Sequence, residues 1–324
     1  MSVKTRRHVL GACAALAALA LAPVSASAQA YPAKPVTIVV PFAAGGTVDK
    51  VARQVKDALQ DRLGQSVVIE NRGGAGGTIG SSMVARSAAD GYTVGMVFDS
   101  FATEQFIYPK LPYAPADLTG VSYMVRSPMV LVVPASSPYK TLQDYVNASK
   151  KPNTVSYASV GEGSSNHLSA ELFHESSGTS GLHTPYKGGG PAITDLLGGH
   201  VDSMIASLPL VLQHVEAGKL RALAVTSPKR EPRLPNVPAV AETYKGFEVY
   251  SWVGMIAPAK APEAALNKLS AEMQAVLRDP KVAQRLHEGG FEVVAGNQAE
   301  MNKLLKSESE RWGRVIKSRN IVAN

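Results

Sequence analysis

The strongest constraint on this chain is an alternation that begins at residue 36. "VTIVVPF" (36–42) is a short β-branched run of the kind buried in a parallel sheet. It runs into Gly45 and Gly46. Val48, Val51, Ala52, Val55, Ala58, Leu59 and Leu63 then recur at spacings of three and four, which predicts one apolar helical face ending near Gly64. "SVVIEN" (66–71) is a second strand, "RGGAGGTIG" a flexible loop, "SSMVARSA" a second helix and "YTVGMVF" (92–98) a third strand. Parallel strands need crossovers, and helices are the usual ones. The order β-α-β-α-β therefore predicts an open parallel sheet covered by helices.

The pattern starts again farther on. "MVLVVPASSP" (129–138) is a strand stopped by prolines, and "VSYASV" (155–160) leads into "GEGSSNHLSAELFHES", a glycine loop opening a helix. "YKGGGPAITDLLGGHVDSMIAS" repeats that layout, with Pro191 acceptable in a first helical turn. "LRALAVTS" (220–227) and "FEVYSWVGMIAP" (247–258) are strand-like, "PKREPRLPNVPAV" is a surface loop, and the tail carries amphipathic helices around Pro262–Leu277 and Glu300–Lys317. This predicts two α/β lobes, each a mainly parallel sheet covered by helices. Lobe 1 is expected to span 31–131 plus 255–324 and lobe 2 132–254, with a ligand cleft between them.

The start of the chain is of a different kind. Lys4, Arg6 and Arg7 precede an apolar stretch that ends in small residues, and Ala26-Ser27-Ala28 offers a cleavage site, so 1–28 reads as an export signal. "TRRHVLG" leaves twin-arginine and ordinary export both open. Most of the apolar region follows Cys13, which argues against a lipoprotein signal. Cys13 is the only cysteine, so cleavage leaves none, as suits an oxidising compartment without disulfides. The full chain has 33 basic and 26 acidic residues, a net +7; three of the cations and none of the acids lie in 1–28, leaving +4. That small surplus over roughly 296 residues argues against a nucleic-acid partner. The mature protein is expected to be soluble, periplasmic and monomeric.

The usual enzyme signatures are missing. No stretch supplies the lysine and serine or threonine of a phosphate-binding P-loop, and "GGAGGTIG" lacks the dinucleotide-binding context. "GEGSS" sets its serine one place too late for a nucleophile elbow. The histidines have neither an H-E-x-x-H spacing nor a cysteine partner, so no metal or other cofactor is expected. What recurs is a strand, then a glycine loop, then a helix start, at Gly45-Gly46, Gly161–Gly163 and Gly188–Gly190. Each helix start exposes unpaired N–H groups and partial positive charge, suited to a carboxylate, phosphate or sulfate.

Taken together, "YPAKPVTIVVPFAAGGTVDKVAR", "LGQSVVIENRGGAGGTIGSSMVARSAADGYTV", "YPKLPYAPADLTGV", "YKGGGPAITDLLGGHVDSMIASLP", "AGKLRALAVTSPKREPRLPNVPAVAE" and "ESERWGRVIKSRNI" cover most of the chain. They resemble the extracytoplasmic substrate-binding proteins of tripartite tricarboxylate transporters, the Bug or TctC-like family. The resemblance implies a type II periplasmic binding protein whose lobes close on a small carboxylate, and delivery to membrane permease subunits. It implies no catalysis. Ligand-binding positions carried over are Phe42, Ala43, Ala44, Gly45, Gly46 and Thr47 on one loop, and Ser159, Gly161, Gly163, Ser164, Ser165 and His167 on the other. Ser100, Ala206, Ser207 and Tyr250 complete the expected set.

Two departures bear on the ligand. Ala43 and Ala44 stand where relatives often have prolines. Ala206 and Ser207 stand where many carry an acid and an amide, which argues against an amino-acid ligand. Phe98, Phe101 and Tyr250 could stack on an aromatic acid, although Phe98 reads first as strand core. A dicarboxylate or aromatic acid is therefore the expected ligand. Sensing through a receptor, and an exported hydrolase of unusual type, are the alternatives.

Overall fold

The computed structural model describes residues 31–321; the expected export signal lies outside them. Ten strands form: β1 (Val36–Val40), β2 (Val67–Asn71), β3 (Thr93–Phe98), β4 (Leu118–Pro134), β5 (Ser156–Ser159), β6 (Leu182–Pro185), β7 (Ser203–Ser207), β8 (Leu220–Val225), β9 (Tyr250–Pro258) and β10 (Glu292–Gly296). The helices of eight residues or more are α1 (Thr47–Leu63), α2 (Thr78–Ala85), α3 (Leu142–Ser149), α4 (Ser165–Ser177), α5 (Gly189–Leu197), α6 (Leu208–Glu216), α7 (Glu263–Arg278), α8 (Pro280–Glu288) and α9 (Gln298–Arg319).

The strands form one curled sheet, β2-β1-β3-β9-β4-β7-β5-β6, with β10 and β8 also on β4. Its outer strands run parallel, as the βα alternation predicts: β1 beside β2 and β3, and β5 beside β6 and β7. The central pairings are antiparallel, because β4 and β9 carry the chain between the two halves. β4 is 17 residues long. Its Leu118–Pro128 segment pairs with β9, and its Met129–Val132 segment pairs with β7. The sheet therefore changes pairing partners between Pro128 and Met129, and β9 pairs wholly within the first half.

Each half is covered on both faces. In the first, α1, α7 and α8 bury Val51, Val55, Leu59, Leu269, Met273 and Leu286 against β1, β3 and β9. In the second, α3 and α4 cover one face and α5 and α6 the other. The last helix spans both: Met301 packs in the first half, beside Val97 and Ile256, whereas Trp312, Val315 and Ile316 pack with Met129 and Phe173 of the second. Its final turns thus pack on the second half. Among the described residues, no helix is long and apolar enough to cross a membrane.

Candidate functional site

Parallel pairing puts the C-terminal ends of β1, β2 and β3 on one edge, so the loops 41–46, 72–77 and 99–103 emerge side by side. The first is held by a buried carboxylate. Asp49, 1 % exposed, accepts the Gly45 N–H at 2.8 Å, the Arg53 Nε at 2.8 Å and the Asn71 Nδ2 at 3.0 Å. Asn71 Nδ2 also donates to the Phe42 carbonyl at 3.1 Å, tying β2 to the loop. Burial alone would raise the Asp49 carboxyl; the bonds from Arg53, Gly45 and Asn71 outweigh it and hold the group below the usual carboxylate range. Gly45 needs its freedom here, since its φ is +82°.

The structure redistributes the donors expected of this loop. Gly45 N–H is spent on Asp49, and Gly46 N–H reaches the Ala43 carbonyl at 3.3 Å. Among the described residues, the N–H groups left without a protein acceptor are those of Ala43, Ala44 and the first turn of α1, beginning with Thr47 and Val48. Gly46 caps α1 in an extended conformation with no side-chain cap. The Arg53 guanidinium neutralises Asp49, so the partial positive charge of the helix start is not cancelled.

The corresponding edge of the second half presents Ser159 through His167. Ser164 caps α4: its Oγ accepts the His167 N–H at 3.4 Å and donates to the Gly161 carbonyl at 2.7 Å. This leaves the Ser165 and Asn166 N–H groups without protein acceptors among the described residues. Ser159 Oγ meets His183 Nε2 at 2.6 Å, and Gly163 N–H donates to His167 Nδ1 at 3.1 Å. Ser159 and His167 therefore stiffen the loop with their side chains. Burial lowers both His167 and His183 to about 4, so both are neutral at pH 7.

Glu162, His167 and His183 bring one ligand-type atom each to within 4.8 Å. His167 Nδ1 already accepts the Gly163 N–H, and the two imidazoles stack with centroids 3.7 Å apart and planes 17° apart. Stacked rings direct their lone pairs side by side rather than toward one point, so we read the group as loop bracing.

The two edges meet. Gly163, at φ +66°, packs so tightly on Ile107 that a Cβ there would overlap the Ile107 side chain. Ser165 lies beside Asp99, the residue that follows β3. Ser100 Oγ donates weakly to the Gly76 carbonyl at 3.5 Å, linking the second and third loops of lobe 1. No hydrogen bond among the described residues joins 42–47 directly to 159–167; at this edge the second loop meets the first half at Asp99 and Ile107.

Three expected positions pack as follows. Ala206 is fully buried, paired with Val130 and packed in the core beneath α5 and α6, so its side chain faces away from the cleft. Phe101 stacks on Tyr113 and lines a separate groove of about 400 Å³ with Leu111, Phe106 and Leu305 of α9. Tyr250 lies under the Arg126 guanidinium, 4.3 Å from its ring centroid. Ser207 is buried at the start of α6, while Phe98 meets Phe42 edge to face at 6.1 Å, beside the first loop. A second groove, of about 880 Å³, is lined by Leu172, Tyr244 and Arg314. Neither groove is lined by the glycine loops.

Sequence reasoning missed Asp49, Asn71 and Asp99. A carboxylate three places past the glycine pair was the available signal for the first. Asp99 gave none.

Comparison with known proteins agrees with this architecture. The family model described as "Tripartite tricarboxylate transporter family receptor" matches residues 51–321. Protein BugT of Bordetella pertussis is 37 % identical over 314 residues, covering 95 % of each chain. A protein of the tcbD-tcbE intergenic region of Pseudomonas sp. strain P51 is 38 % identical over 318 residues, again 95 % of each. Among solved structures, the periplasmic binding protein BugD superposes with a TM-score of 0.81 at 37 % identity, covering 91 % of this chain and 100 % of that one. Rpa4515 of R. palustris, solved with adipate, gives 0.84 at 36 % identity and the same coverage. MatC of Rhodopseudomonas palustris, solved with malate, gives 0.79 at 31 %, covering 88 % of this chain and 100 % of that one. With two α/β halves, each presenting a glycine loop at a helix start, and with these relatives, this chain belongs to the tripartite tricarboxylate transporter receptor family of solute-binding proteins.

Proposed function

We propose that the protein captures a small carboxylate between its two halves, after export to the periplasm, and delivers it to membrane permease subunits. One observation carries the reading: the unpartnered N–H groups of Thr47 and Val48 in one half, and of Ser165 and Asn166 in the other. Two helix starts supply partial positive charge and donors to an anion without needing an arginine clamp. Adipate in one structural relative and malate in another support a carboxylate. Dicarboxylates fit two helix starts, one carboxylate for each. The Phe42–Phe98 pair beside the first loop suits an aromatic acid as well.

The donors can be deleted singly. Thr47 and Ser165 each occupy the first position of a helix, where proline is tolerated. The residues before them, Gly46 (φ −70°, ψ 172°) and Ser164 (φ −66°, ψ 158°), already have the extended conformation proline imposes on its predecessor. Thr47→Pro and Ser165→Pro should each remove one hydrogen bond to a charged ligand, worth about 1.5–3 kcal/mol, or a roughly 10- to 100-fold loss of affinity. Calorimetry against the carboxylates that raise the melting temperature in a screen of aliphatic and aromatic acids reads this directly. Unchanged affinity in both folded variants would refute capture by the helix starts.

A further inference from the structure

Asp99 stands out because nothing in the fold satisfies it. It follows β3, is 4 % exposed, and neither carboxylate oxygen has a hydrogen-bond partner. Buried polar groups are nearly always bonded, so a carboxylate with both oxygens unmatched calls for an explanation. Its setting supplies one. Ser165, the first residue of α4, lies beside it from lobe 2, and Ser251 of β9 lies beside it from lobe 1. These two hydroxyls and the Ser100 N–H are near enough to favour its charged form, yet none makes a hydrogen bond of ordinary geometry to either oxygen. Ser127, paired with Ser251 on the neighbouring strand, is also buried and also has an unpartnered Oγ. Unpartnered polar oxygens, two of them the acceptor-only oxygens of Asp99, thus cluster where the halves meet, next to a helix start that offers N–H groups to an anion.

We infer that Asp99 is a specificity residue for the ligand of this cleft: it accepts a hydrogen bond from a hydroxyl or ammonium group carried beside the carboxylate that α4 holds. The inference rests on the reading of the cleft as a carboxylate site. It follows from charge. A bare dicarboxylate brought to the Ser165 N–H would face the Asp99 acceptors with acceptors of its own. A hydroxyl or ammonium substituent on the adjacent carbon turns that clash into a bond, and an ammonium adds opposite charge. Burial pushes the Asp99 carboxyl up to about 7, the mark of a charged form short of partners, which such a donor would supply. Asp99 would then supply the acid that Ala206 and Ser207 lack. Discrimination by a buried, otherwise unpaired acceptor is strong because the analogue lacking the donor leaves that acceptor unmatched.

The test is calorimetry at pH 8, where the Asp99 carboxyl is largely ionised, with matched sets: succinate, malate and aspartate, then glutarate, 2-hydroxyglutarate and glutamate. In the wild-type protein the hydroxy or amino member of at least one set should bind about tenfold or more tightly than its unsubstituted parent. Malate against aspartate separates hydroxyl from ammonium. In Asp99→Asn, and in Asp99→Ser should the first variant misfold, that advantage should shrink to within about threefold while the parent binds as well or better. Parents that bind as tightly as their substituted members in the wild type, or an advantage that survives both substitutions, would overturn the inference and assign the Asp99 oxygens to water, with the carboxylate reading intact. If no carboxylate binds at all, the proposed function itself fails, and the inference with it.

Discussion

Asp49→Ala is the most direct test of how the first glycine loop is built. The substitution removes an acceptor of three hydrogen bonds, from Gly45 N–H, Arg53 Nε and Asn71 Nδ2. Arg53 is more than half exposed and returns to water, so that bond accounts for about 0.5 kcal/mol or less. Gly45 is exposed, and its N–H is rehydrated at a net loss of about 1 kcal/mol. Asn71 is half-buried and keeps only the Phe42 carbonyl, adding about 1–2 kcal/mol for a donor that loses a charged partner. The total is about 2–4 kcal/mol, which should lower the melting temperature by roughly 3–7 °C. Asp49→Asn keeps the shape but not the charge and should fall about halfway. Urea denaturation gives the stability, and calorimetry with a bound carboxylate gives the loop's contribution to binding. The carboxyl sits below its ordinary pKa, so its stabilisation is present above about pH 4 and is lost as pH falls through the lower native value. Both variants should accordingly show a shallower acid limb than the wild type. An Asp49→Ala protein within about 0.5 kcal/mol of wild type, with unchanged affinity, would refute the idea that this carboxylate holds the loop.

Two further titrations carry opposite signs. Glu104, buried and bonded to Tyr113 Oη and to Ser81 Oγ at 3.3 Å, is raised to about 8 by burial, so it costs stability as pH rises from about 4.5 to 8. Glu104→Gln should be near neutral at pH 5 and stabilising by about 2–4 kcal/mol at pH 8.5 in urea melts; equal effects at both pH values would contradict the assignment. His167, His174 and His183 are each lowered to about 4 by burial, so their stabilisation is complete above about pH 6.5 and is lost as pH falls toward 4. His174→Phe, which keeps a ring beside Tyr145 and Tyr157, should make that acid limb shallower by about 1.4 kcal/mol per pH unit; an unchanged slope would show that His174 titrates normally.

The helices and strands that obey a period were legible in the sequence. The Val48–Leu63 stripe forms α1 and stops where Gly64 turns left-handed at φ +66°. The first half of β4 was not legible, because Gly120 and Pro128 interrupt "LTGVSYMVRSP" and read as breakers. Both are tolerated: Gly120 lies where the Met301 side chain leaves no room for a Cβ, and Pro128 sits where the strand changes partners. The antiparallel centre of the sheet was hidden for the same reason, since it depends on β4 and β9 pairing across more than a hundred residues. At the site, the loops could be located from their glycines, but not which N–H groups they leave free. That is decided by Asp49 and the Ala43 carbonyl, which claim the donors of Gly45 and Gly46 and leave those of the helix start.

This division of donors bears on how such a cleft discriminates among ligands. A backbone N–H at a helix start favours any carboxylate and carries little information about the rest of the molecule. Selectivity must then come from groups that can be left unpaired by the wrong ligand. The first loop has few: its one carboxylate, Asp49, is fully occupied by Gly45, Arg53 and Asn71. In the second loop the polar side chains of Ser159, Ser164 and His167 are likewise spent on one another, on backbone groups and on His183. Asp99 differs because its acceptors are matched by nothing in the protein, and it lies between Ser165 of one half and Ser251 of the other. A ligand donor placed there would be held only when the halves are together. The same contact would then select the ligand and favour closure, and its loss in Asp99→Asn should weaken substituted acids while sparing their unsubstituted parents.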